Sequence, residues 1–568
     1  MSLTLAQGEV VGLVGESGCG KSSLALACMG ATPEGGVITN GRVTVNGVDL
    51  LTAPPETLRA LWGRHLAHVP QNPATSLNPA TRIGRQLTQP LVTHLGLTGR
   101  PLRVRATDLL DRVGITNPGQ ALRRYPHEFS GGQQQRIALA LAISCDPRVL
   151  ILDEPTTGLD VTTQARIVEL LNGIITGTRA AALYISHNLA LISTLADRLL
   201  VMYAGEIVEA GATQDVVRYP RHPYTQALLA ALPSAHERRA VRGLGGRPPG
   251  QVVIDGCAFA PRCRYTEQEC VAEHPILQPL PETREVRCVR HDQLELNTHS
   301  VDGWALPAEP APVHILELDN LWCQYRKQPE PAVADLSLAI ARGDTVAIVG
   351  ESGSGKSTLL RAIAGLHPPR AGTIRFAGHD LAPAARHRPR DIRGEIQLVF
   401  QNPDSSLNPR QTVGEILTRP IRLFRGDVAR REEAHAVAAA LDEVGLATST
   451  AQRYPDELSG GQRQRVAVAR AFAARPVLLL CDEVTSALDV SVQATILELI
   501  AQLATTLTTT VVFVSHDLAV VRTICRRAVV LRAGRICEDG STGDLFAAPR
   551  HPYTRELIAA IPSTRDAG

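Results

Sequence analysis

The chain has 568 residues, of which 44% are hydrophobic and 20% are charged, and its formal net charge is +2. This length predicts two or three domains, and the small net charge gives no indication of a nucleic-acid partner. No run approaches 18 apolar residues and the start has no basic segment with a cleavage site, so we expect neither a membrane-spanning helix nor a signal peptide, and a cytosolic protein is favoured.

The first predicted element is a buried parallel strand, VVGLVG at 10–15, which ends in glycine. It leads into a loop that fits G-x-x-x-x-G-K-[ST] and then into an apolar helix. In such a loop, backbone amides surround phosphate oxygens, the lysine reaches the β- and γ-phosphates, and the serine hydroxyl binds Mg²⁺. The predicted nucleotide-binding residues here are Gly15, Ser17, Gly18, Gly20, Lys21, Ser22 and Ser23.

Three further motifs follow in the first half. A second apolar strand ends in Asp153 and Glu154, which predicts a Mg²⁺-associated carboxylate beside one that orients or deprotonates the attacking water. The sequence SGGQ at 130–133 is predicted to begin a helix, whose amides and dipole favour phosphate. A third strand, AALYIS, is followed by His187.

The second half of the chain repeats these motifs in the same order. GESGCGKSS at 15–23 returns as GESGSGKST at 350–358, and the later motifs return at an offset of 329 or 330. Two homologous domains are therefore predicted, each a three-layer α/β structure with a phosphate loop. The equivalent nucleotide-binding residues are Gly350, Ser352, Gly353, Gly355, Lys356, Ser357, Thr358, Gln401, Ser459, Gly461 and Asp482.

Four cysteines lie between the two halves, at positions 257, 263, 270 and 288. Disulfides are disfavoured in the cytosol, which leaves a metal site or plain structural thiols. The spacing lacks the C-x₂-C pairs common in zinc sites. A polar, proline-containing linker follows. We therefore predict a first domain at 1–235, a cysteine segment with linker at 236–310, and a second domain at 311–568.

The SGGQ motifs, in combination with the phosphate loops, resemble those of the ABC ATPase family, and the resemblance covers nearly the whole chain. It implies a head-to-tail sandwich of the two domains with ATP and Mg²⁺ at each interface. The implied first site combines Lys21, Ser22, Gln71, Asp153, Glu154 and His187 with Ser459 and Gly461. The implied second site combines Lys356, Ser357, Gln401, Asp482, Glu483 and His516 with Ser130 and Gly132.

The same resemblance assigns roles within the sites. Gln71 and Gln401 match the glutamine that senses Mg²⁺ and contacts the permease. Glu154, Glu483, His187 and His516 match the catalytic glutamates and the histidines that contact the γ-phosphate. Asp160 and Asp489 match the D-loop, which carries signals across the interface. Both sites are expected to be active.

The two halves differ at their starts. The second has 36 residues from His314 to Gly350, including Tyr325, which matches the family's adenine-stacking aromatic, whereas the first has 14 residues before Gly15. We expect the first domain to lack an edge strand and the stacking aromatic. Either the start codon is misassigned or the chain is truncated, and the alignment of MSLTLAQGEV within a strand favours a misassigned start.

The motifs RYPHEFSGG, QNP..SLNP and RHPYT..LL.A.PS resemble bacterial importer ATPases of the dipeptide/oligopeptide class. The first half resembles the D-type subunit and the second the F-type, here fused. The resemblance implies two membrane permeases, an extracytoplasmic substrate-binding protein, and a peripheral position on the cytoplasmic face of the cell membrane. Peptide is the leading substrate, with nickel chelates, glutathione or another small solute as alternatives. A soluble twin ATPase acting on ribosomes or DNA is the alternative class.

The D-type resemblance also bears on the cysteines. The pattern CxFxxRC…C…C matches the cysteine region of that subunit, which implies a [4Fe–4S] cluster held by Cys257, Cys263, Cys270 and Cys288. Zinc is the alternative, and plain thiols remain a third possibility.

Overall fold

The structure is a computed structural model that describes residues 1–72, 76–234, 241, 243–246, 255–294, 313–326, 329–486 and 488–561. The described residues form two α/β domains of the same design, as the sequence repeat predicts. One cluster of buried apolar side chains extends from the first domain into the second, so the two domains share a packed interface.

The described residues of the first domain and the cysteine segment form ten strands and eleven α-helices. The strands are β1 Val10–Val14, β2 Thr44–Val45, β3 Val48–Asp49, β4 Leu66–Val69, β5 Val149–Asp153, β6 Ala181–Ile185, β7 Arg198–Tyr203, β8 Glu206–Ala212, β9 Gln278–Leu280 and β10 Arg284–Val286. The helices are α1 Lys21–Cys28, α2 Pro55–Leu61, α3 Ile83–Leu95, α4 Gly99–Arg112, α5 Pro118–Ala121, α6 Gly131–Ala142, α7 Val161–Thr178, α8 Leu189–Ser193, α9 Thr213–Arg218, α10 Pro223–Ala230 and α11 Gln268–Ala272.

The described part of the second domain contributes ten strands and ten helices. The strands are β11 His314–Cys323, β12 Val333–Ala341, β13 Thr345–Val349, β14 Ala371–Phe376, β15 His379–Asp380, β16 Ile396–Val399, β17 Leu478–Asp482, β18 Thr510–Val514, β19 Arg527–Arg532 and β20 Arg535–Ser541. The helices are α12 Lys356–Ile363, α13 Arg390–Glu395, α14 Pro403–Ser406, α15 Val413–Phe424, α16 Glu433–Glu443, α17 Gly460–Phe472, α18 Val490–Leu507, α19 Leu518–Ile524, α20 Thr542–Ala547 and α21 Pro552–Ala559.

Each domain is built on a mixed sheet whose central strands are parallel. The first six strands of the first domain's sheet have the order β4-β5-β6-β1-β7-β8, and the second domain has the order β16-β17-β18-β13-β19-β20. Strands β8 and β20 run antiparallel to their neighbours β7 and β19. The central strands are buried on both faces, which explains their uninterrupted apolar sequences. The loops at the carboxyl ends of these strands carry the predicted site residues, as expected for an open α/β sheet.

A second sheet distinguishes the two domains. In the second domain, β12, β11, β14 and β15 form a four-stranded antiparallel sheet. Among the described residues of the first domain, the corresponding region forms only the two-residue ladder between β2 and β3. Tyr325, just beyond β11, therefore has no aromatic equivalent in the described strands of the first domain.

The cysteine segment adds strands to the first domain. Strand β10 pairs antiparallel with β8, and β9 pairs with β10, so the first sheet has eight strands. Arg284 of β10 forms a buried ion pair with Glu209 of β8, at 2.8 Å. The equivalent of β8 in the second domain, β20, is the last strand of its described sheet.

One described helix, α18, is long and apolar enough to cross a membrane by length and composition alone, which was not expected from the sequence. A little over half of it is buried inside the second domain, where it packs on α17. This environment is typical of a core helix.

Candidate functional site

Each phosphate loop has its lysine held ready at the start of a helix. In the first domain, Lys21 Nζ donates to the carbonyls of Gly15 and Glu16, at 2.8 and 2.9 Å. Gly20 caps α1 with φ of +104°, a conformation that favours glycine. A side chain on Gly15 would collide with the carbonyl of Met202. The loop therefore keeps its amides accessible to phosphate.

The second phosphate loop has the same geometry. Lys356 Nζ donates to the carbonyls of Gly350 and Glu351, at 2.7 and 2.8 Å. Gly355 also has φ of +104°, and a Cβ there would lie 2.1 Å from the carbonyl oxygen of Ala332. The lysine of each site is buried, so its ammonium is a concentrated charge for a polyphosphate.

A hydroxyl and a carboxylate come together at each predicted Mg²⁺ position. Ser357 Oγ donates to Asp482 Oδ1 at 2.7 Å. Burial raises the pKa of Asp153, and a hydrogen bond from Ser22 opposes that shift. Asp153 Oδ1 is buried and has no hydrogen-bond partner among the described residues. Hydroxyl and carboxylate oxygens are the ligands that Mg²⁺ prefers, so these residues fit that ion.

Glu154 is the centre of a polar cluster in the first domain. Its Oε2 accepts hydrogen bonds from Gln71 Nε2 and Thr157 Oγ1, both at 2.9 Å, and lies 3.0 Å from His187 Nδ1. Burial alone would raise the pKa of Glu154, but His187, Thr157 and Lys21 outweigh it and lower the pKa to about 2. The carboxylate is therefore ionised at neutral pH and can orient water or accept its proton.

Glu483 has equivalent partners in the second domain. Gln401 Nε2 donates to its Oε2 at 2.8 Å, and His516 Nδ1 lies 3.4 Å from the same oxygen. The pKa of Glu483 is lowered, since His516 and Lys356 outweigh burial. The two clusters show the same arrangement of predicted catalytic residues.

The helices predicted from SGGQ begin directly after the expected serines. Ser130 caps α6 and Ser459 caps α17, each accepting from the amide three residues later while a glutamine side chain binds back to the serine amide. With this capping box, the positive end of each helix dipole is directed at the loop that precedes the helix. Among the described residues, no hydrogen bond joins either serine to the opposite phosphate loop.

The two domains contact each other reciprocally at these sites. The amide of Ser17, in the first phosphate loop, donates to Asp489 Oδ2 at 3.1 Å. Thr162 Oγ1, which follows the D-loop of the first domain, donates to Glu351 Oε1 of the second phosphate loop at 3.0 Å. Each phosphate loop therefore contacts the D-loop region of the other domain, which is a head-to-tail arrangement.

Tyr325 lies beside the second phosphate loop. Its hydroxyl is 3.2 Å from Thr358 Oγ1, and its ring is 4.5 Å from that of His367. The tyrosine hydroxyl therefore contacts the first turn of α12, directly after the phosphate loop.

Two tyrosines support the phosphate loops from behind, and this role was not predicted from the sequence. The amide of Glu16 donates to Tyr224 Oη and that of Glu351 donates to Tyr553 Oη, both at 2.9 Å. Both tyrosines belong to the repeated RHPYT motif, whose histidine caps the next helix through Nδ1. The repetition of this motif was the available signal, but it did not indicate which element the tyrosine contacts.

The four cysteines line one small cavity, together with Phe259 and His222. Burial raises the pKa of the Cys288 thiol to about 12, with a further contribution from the other three. Within the described ranges, however, no group of three or more His, Cys, Asp or Glu side chains is placed to hold a metal ion. The metal site predicted at the four cysteines is thus not supported by the arrangement of the described side chains.

Comparison with known proteins identifies the class. The ABC transporter family profile matches residues 1–157 and 333–486, and the profile "Oligopeptide/dipeptide transporter, C-terminal region" matches 208–270 and 537–567. The chain therefore belongs to the ABC transporter family and is an ATPase with two ABC domains.

Relatives narrow the class further. The chain is 38% identical to "Oligopeptide transport ATP-binding protein OppD" of Mycobacterium tuberculosis, over 99% of this chain and 94% of that protein. It is 38% identical to "Glutathione import ATP-binding protein GsiA" of Salmonella typhimurium, over 99% of this chain and 86% of that protein. It is 37% identical to "Peptidoglycan transport ATP-binding protein YejF" of Agrobacterium fabrum, over 99% and 92%. It is thus an ABC transporter ATPase of the oligopeptide, dipeptide and glutathione importer class.

Replacing either glutamate with glutamine tests whether both sites turn over. The amide keeps the shape and the hydrogen bonds from Gln71 or Gln401 but cannot accept a proton. Because a general base contributes about 10²- to 10⁴-fold, we expect Glu154→Gln and Glu483→Gln each to remove at least about half of the steady-state ATPase rate. The double variant is expected to lose about 100-fold or more.

Glu56→Gln, an exposed change on α2, is the matched control. If either catalytic-glutamate variant kept the full ATPase rate, the corresponding site would not contribute to turnover.

The pair of His516 and Glu483 predicts a pH-dependent stability. Burial alone would lower the pKa of His516, but Glu483 outweighs it and raises the pKa above its ordinary value of 6.5. The stability that this ion pair contributes to the folded protein is therefore fully present below about pH 6.5 and is lost as pH rises through the raised pKa of His516. By calorimetry, the Tm difference between wild type and His516→Gln should be larger at pH 6 than at pH 9. The exposed change His435→Gln serves as control, and a difference that grew with pH would contradict this assignment.

Proposed function

We propose that this protein is the ATP-hydrolysing subunit of an importer that takes up di- and oligopeptides, working at the cytoplasmic face of the cell membrane. The observation that carries the proposal is the match of both halves to the C-terminal region of oligopeptide/dipeptide transporters. In both halves, the RHPYT tyrosine of that region accepts a hydrogen bond from the phosphate loop. The importer-specific region is therefore in direct contact with the ATP-binding element.

The two ATP sites would be composite, as the reciprocal D-loop contacts support. In each, the lysine and the loop amides bind the phosphates, while the serine and the strand-end aspartate hold Mg²⁺. The second-site tyrosine, Tyr325, stacks on the base. The glutamate positions water and accepts its proton, with the glutamine and histidine holding its carboxylate in place. Bound Mg²⁺ supplies charge neutralisation on the phosphates.

A groove in the first domain supports docking of a membrane permease. It has a volume of about 640 Å³ and runs beside the Gln71 loop, with Trp62, His68, Pro70 and His94 among its lining residues. A permease segment bound there would sense the position of Gln71, whose amide is bonded to Glu154. We infer two permease subunits, one for each domain, and an extracytoplasmic substrate-binding protein that delivers the peptide. No nucleic-acid partner is part of this proposal.

The domain organisation is part of the same proposal. A D-type half, 1–235, would carry the cysteine segment at 236–310, and an F-type half, 311–568, would complete the pair. The match of 208–270 to the transporter C-terminal region spans the first three cysteines, which supports assigning the segment to the first half.

We infer that Cys257, Cys263, Cys270 and Cys288 hold a [4Fe–4S] cluster, with zinc as the alternative. Their convergence on one cavity supports a shared ligand. Four thiolates around one zinc ion must approach closely, at Zn–S of about 2.3 Å. Thiolates around a four-iron cluster stand further apart, because iron and sulfide atoms lie between them. The cysteine pattern, CxFxxRC…C…C without C-x₂-C pairs, is what favours the cluster over zinc.

Glutathione is a second candidate substrate, because GsiA is as similar to this chain as OppD is. Reconstitution of the ATPase with its permeases and binding protein in vesicles distinguishes peptide from glutathione as the substrate. We expect oligopeptide with binding protein to stimulate ATP hydrolysis several-fold and to accumulate inside the vesicles. If glutathione alone stimulated ATP hydrolysis, glutathione would be the substrate instead of peptide. Purification of the protein with ribosomal RNA or DNA instead of permeases would contradict its function in an importer.

Metal analysis of protein purified without oxygen tests the cysteine assignment. We expect about four irons and four sulfides per chain, lost in Cys263→Ser because one ligand is removed. Cys145→Ser, a buried cysteine outside the segment, is the matched control and should keep the full content. About one zinc without sulfide would contradict the cluster and support the alternative.

A further inference from the structure

An arginine of the cysteine segment reaches into the first phosphate loop. Arg262 forms a two-pronged ion pair with Glu16, with Nη1–Oε2 at 2.6 Å and Nη2–Oε1 at 3.0 Å. The two side chains are only 3% and 5% exposed. Arg262 also donates to Tyr203 Oη at 3.2 Å and, through Nε, to the carbonyl of Gly245 at 2.8 Å. Its guanidinium is thus held on several sides.

The same glutamate is bonded to the second domain. Ser491 Oγ, in the first turn of α18, lies within hydrogen-bond distance of both Glu16 Oε1 and Asp489 Oδ1, so its single proton is shared between the two carboxylates. Asp489 in turn accepts from the amide of Ser17. A continuous polar network therefore runs from Arg262, through the first phosphate loop, to the D-loop region of the opposite domain.

The segment that carries Arg262 is anchored against the same loop. Phe259 packs against Tyr203 and Tyr224, with ring centroids 5.2 and 5.4 Å apart. Tyr224 is the residue whose hydroxyl accepts from the amide of Glu16. The arginine is thus placed by an aromatic cluster that itself supports the loop.

The second phosphate loop differs in this respect. Glu351, the equivalent of Glu16, is half-buried and accepts from Thr162, and no basic side chain of the described residues lies within ion-pair distance of it. Arg532 lies 4.8 Å from the Tyr553 ring centroid, without an ion pair to Glu351. Water can screen a half-buried carboxylate, but a buried one needs a partner.

We propose that Arg262 is a positioning residue of the first ATP site, which fixes Glu16 and offsets its charge so that the first phosphate loop accepts a polyanion. This inference rests on the proposed nucleotide site of the first domain. Without Arg262, a buried carboxylate would stand unpaired in the loop that must bind phosphates, and it would also lose its fixed position relative to Ser491. The second site has no such requirement, so the cysteine segment acts on one of the two ATP sites.

The test is equilibrium binding of Mg²⁺–ATP to the full chain, with Glu154→Gln and Glu483→Gln present so that ATP is not consumed. Lys356→Ala confines binding to the first site, and Lys21→Ala confines it to the second. We expect Arg262→Gln to raise the Kd of the first site on the order of tenfold and to leave the second site unchanged. Arg262→Lys, which keeps the charge but loses the two-pronged geometry, should have a smaller effect in the same direction.

Arg264→Gln is the matched control. Arg264 also adjoins Cys263, but it donates to Gln226 and lies over Tyr265, away from the phosphate loop. Adding Glu16→Gln to Arg262→Gln should restore most of the first-site affinity, because no unpaired charge then remains. A merely structural role would not give this rescue or this difference between the two sites.

Three results would overturn the inference: an unchanged first-site Kd in Arg262→Gln, an equal loss at both sites, or an equal loss in Arg264→Gln. If Arg262→Gln does not fold, Arg262→Lys compared with Arg264→Lys decides by the same criterion. Failure of the proposed nucleotide site itself would give a different result. In that case the Lys356→Ala protein with native Arg262 would bind no ATP, or its ATP binding would persist after Lys21→Ala is added.

Discussion

The two ATP sites are built around the reciprocal contact between each phosphate loop and the other domain's D-loop region. Ser17 is bonded to Asp489 across the interface, and Glu351 is bonded to Thr162 in the opposite direction. A phosphate loop must stay open to its ligand, so it cannot be stabilised by filling its own concavity. It is instead held from outside, by the RHPYT tyrosine behind it and by the other domain at its edge.

The two carboxylates predicted to be catalytic are positioned by a turn within each domain. Glu154 and Glu483 follow buried strands and adopt φ of +48° and +47°, a left-handed conformation uncommon for this residue type. Their amides donate to the carbonyls of Ile185 and Val514, so the turn is fixed by the neighbouring strand. The carboxylate is thereby directed to the glutamine and histidine instead of into the sheet. Strain of this kind is typical of functional sites and is stabilised by the surrounding fold.

Much of this was predictable from the sequence, because it depends on local motifs. The strand, the glycine-rich loop and the helix that begins at Lys21 or Lys356 are encoded within 19 consecutive residues, 10–28 and 345–363, and the repeat at near-constant offset identifies two domains. The helix caps at Ser130 and Ser459 also follow from local sequence. Contacts between distant segments were not predictable, since nothing near Arg262 indicates that its partner is Glu16, 246 residues away.

These distant contacts change how the cysteine segment should be understood. The sequence predicted a metal-binding cysteine segment followed by a linker, yet the segment also supplies two strands to the first sheet and two arginines that pair with buried glutamates, Arg284 with Glu209 and Arg262 with Glu16. In the second domain, the equivalent Glu538 and Glu351 are half-buried, and in the described part of the chain neither forms an ion pair with an arginine side chain; Glu538 instead accepts from the main-chain amides of Arg550 and His551. Since a buried carboxylate without a cation is costly, the first domain requires the segment to complete its fold. The two halves thus differ in how they neutralise these acids, and the segment is a structural part of the first ATPase domain.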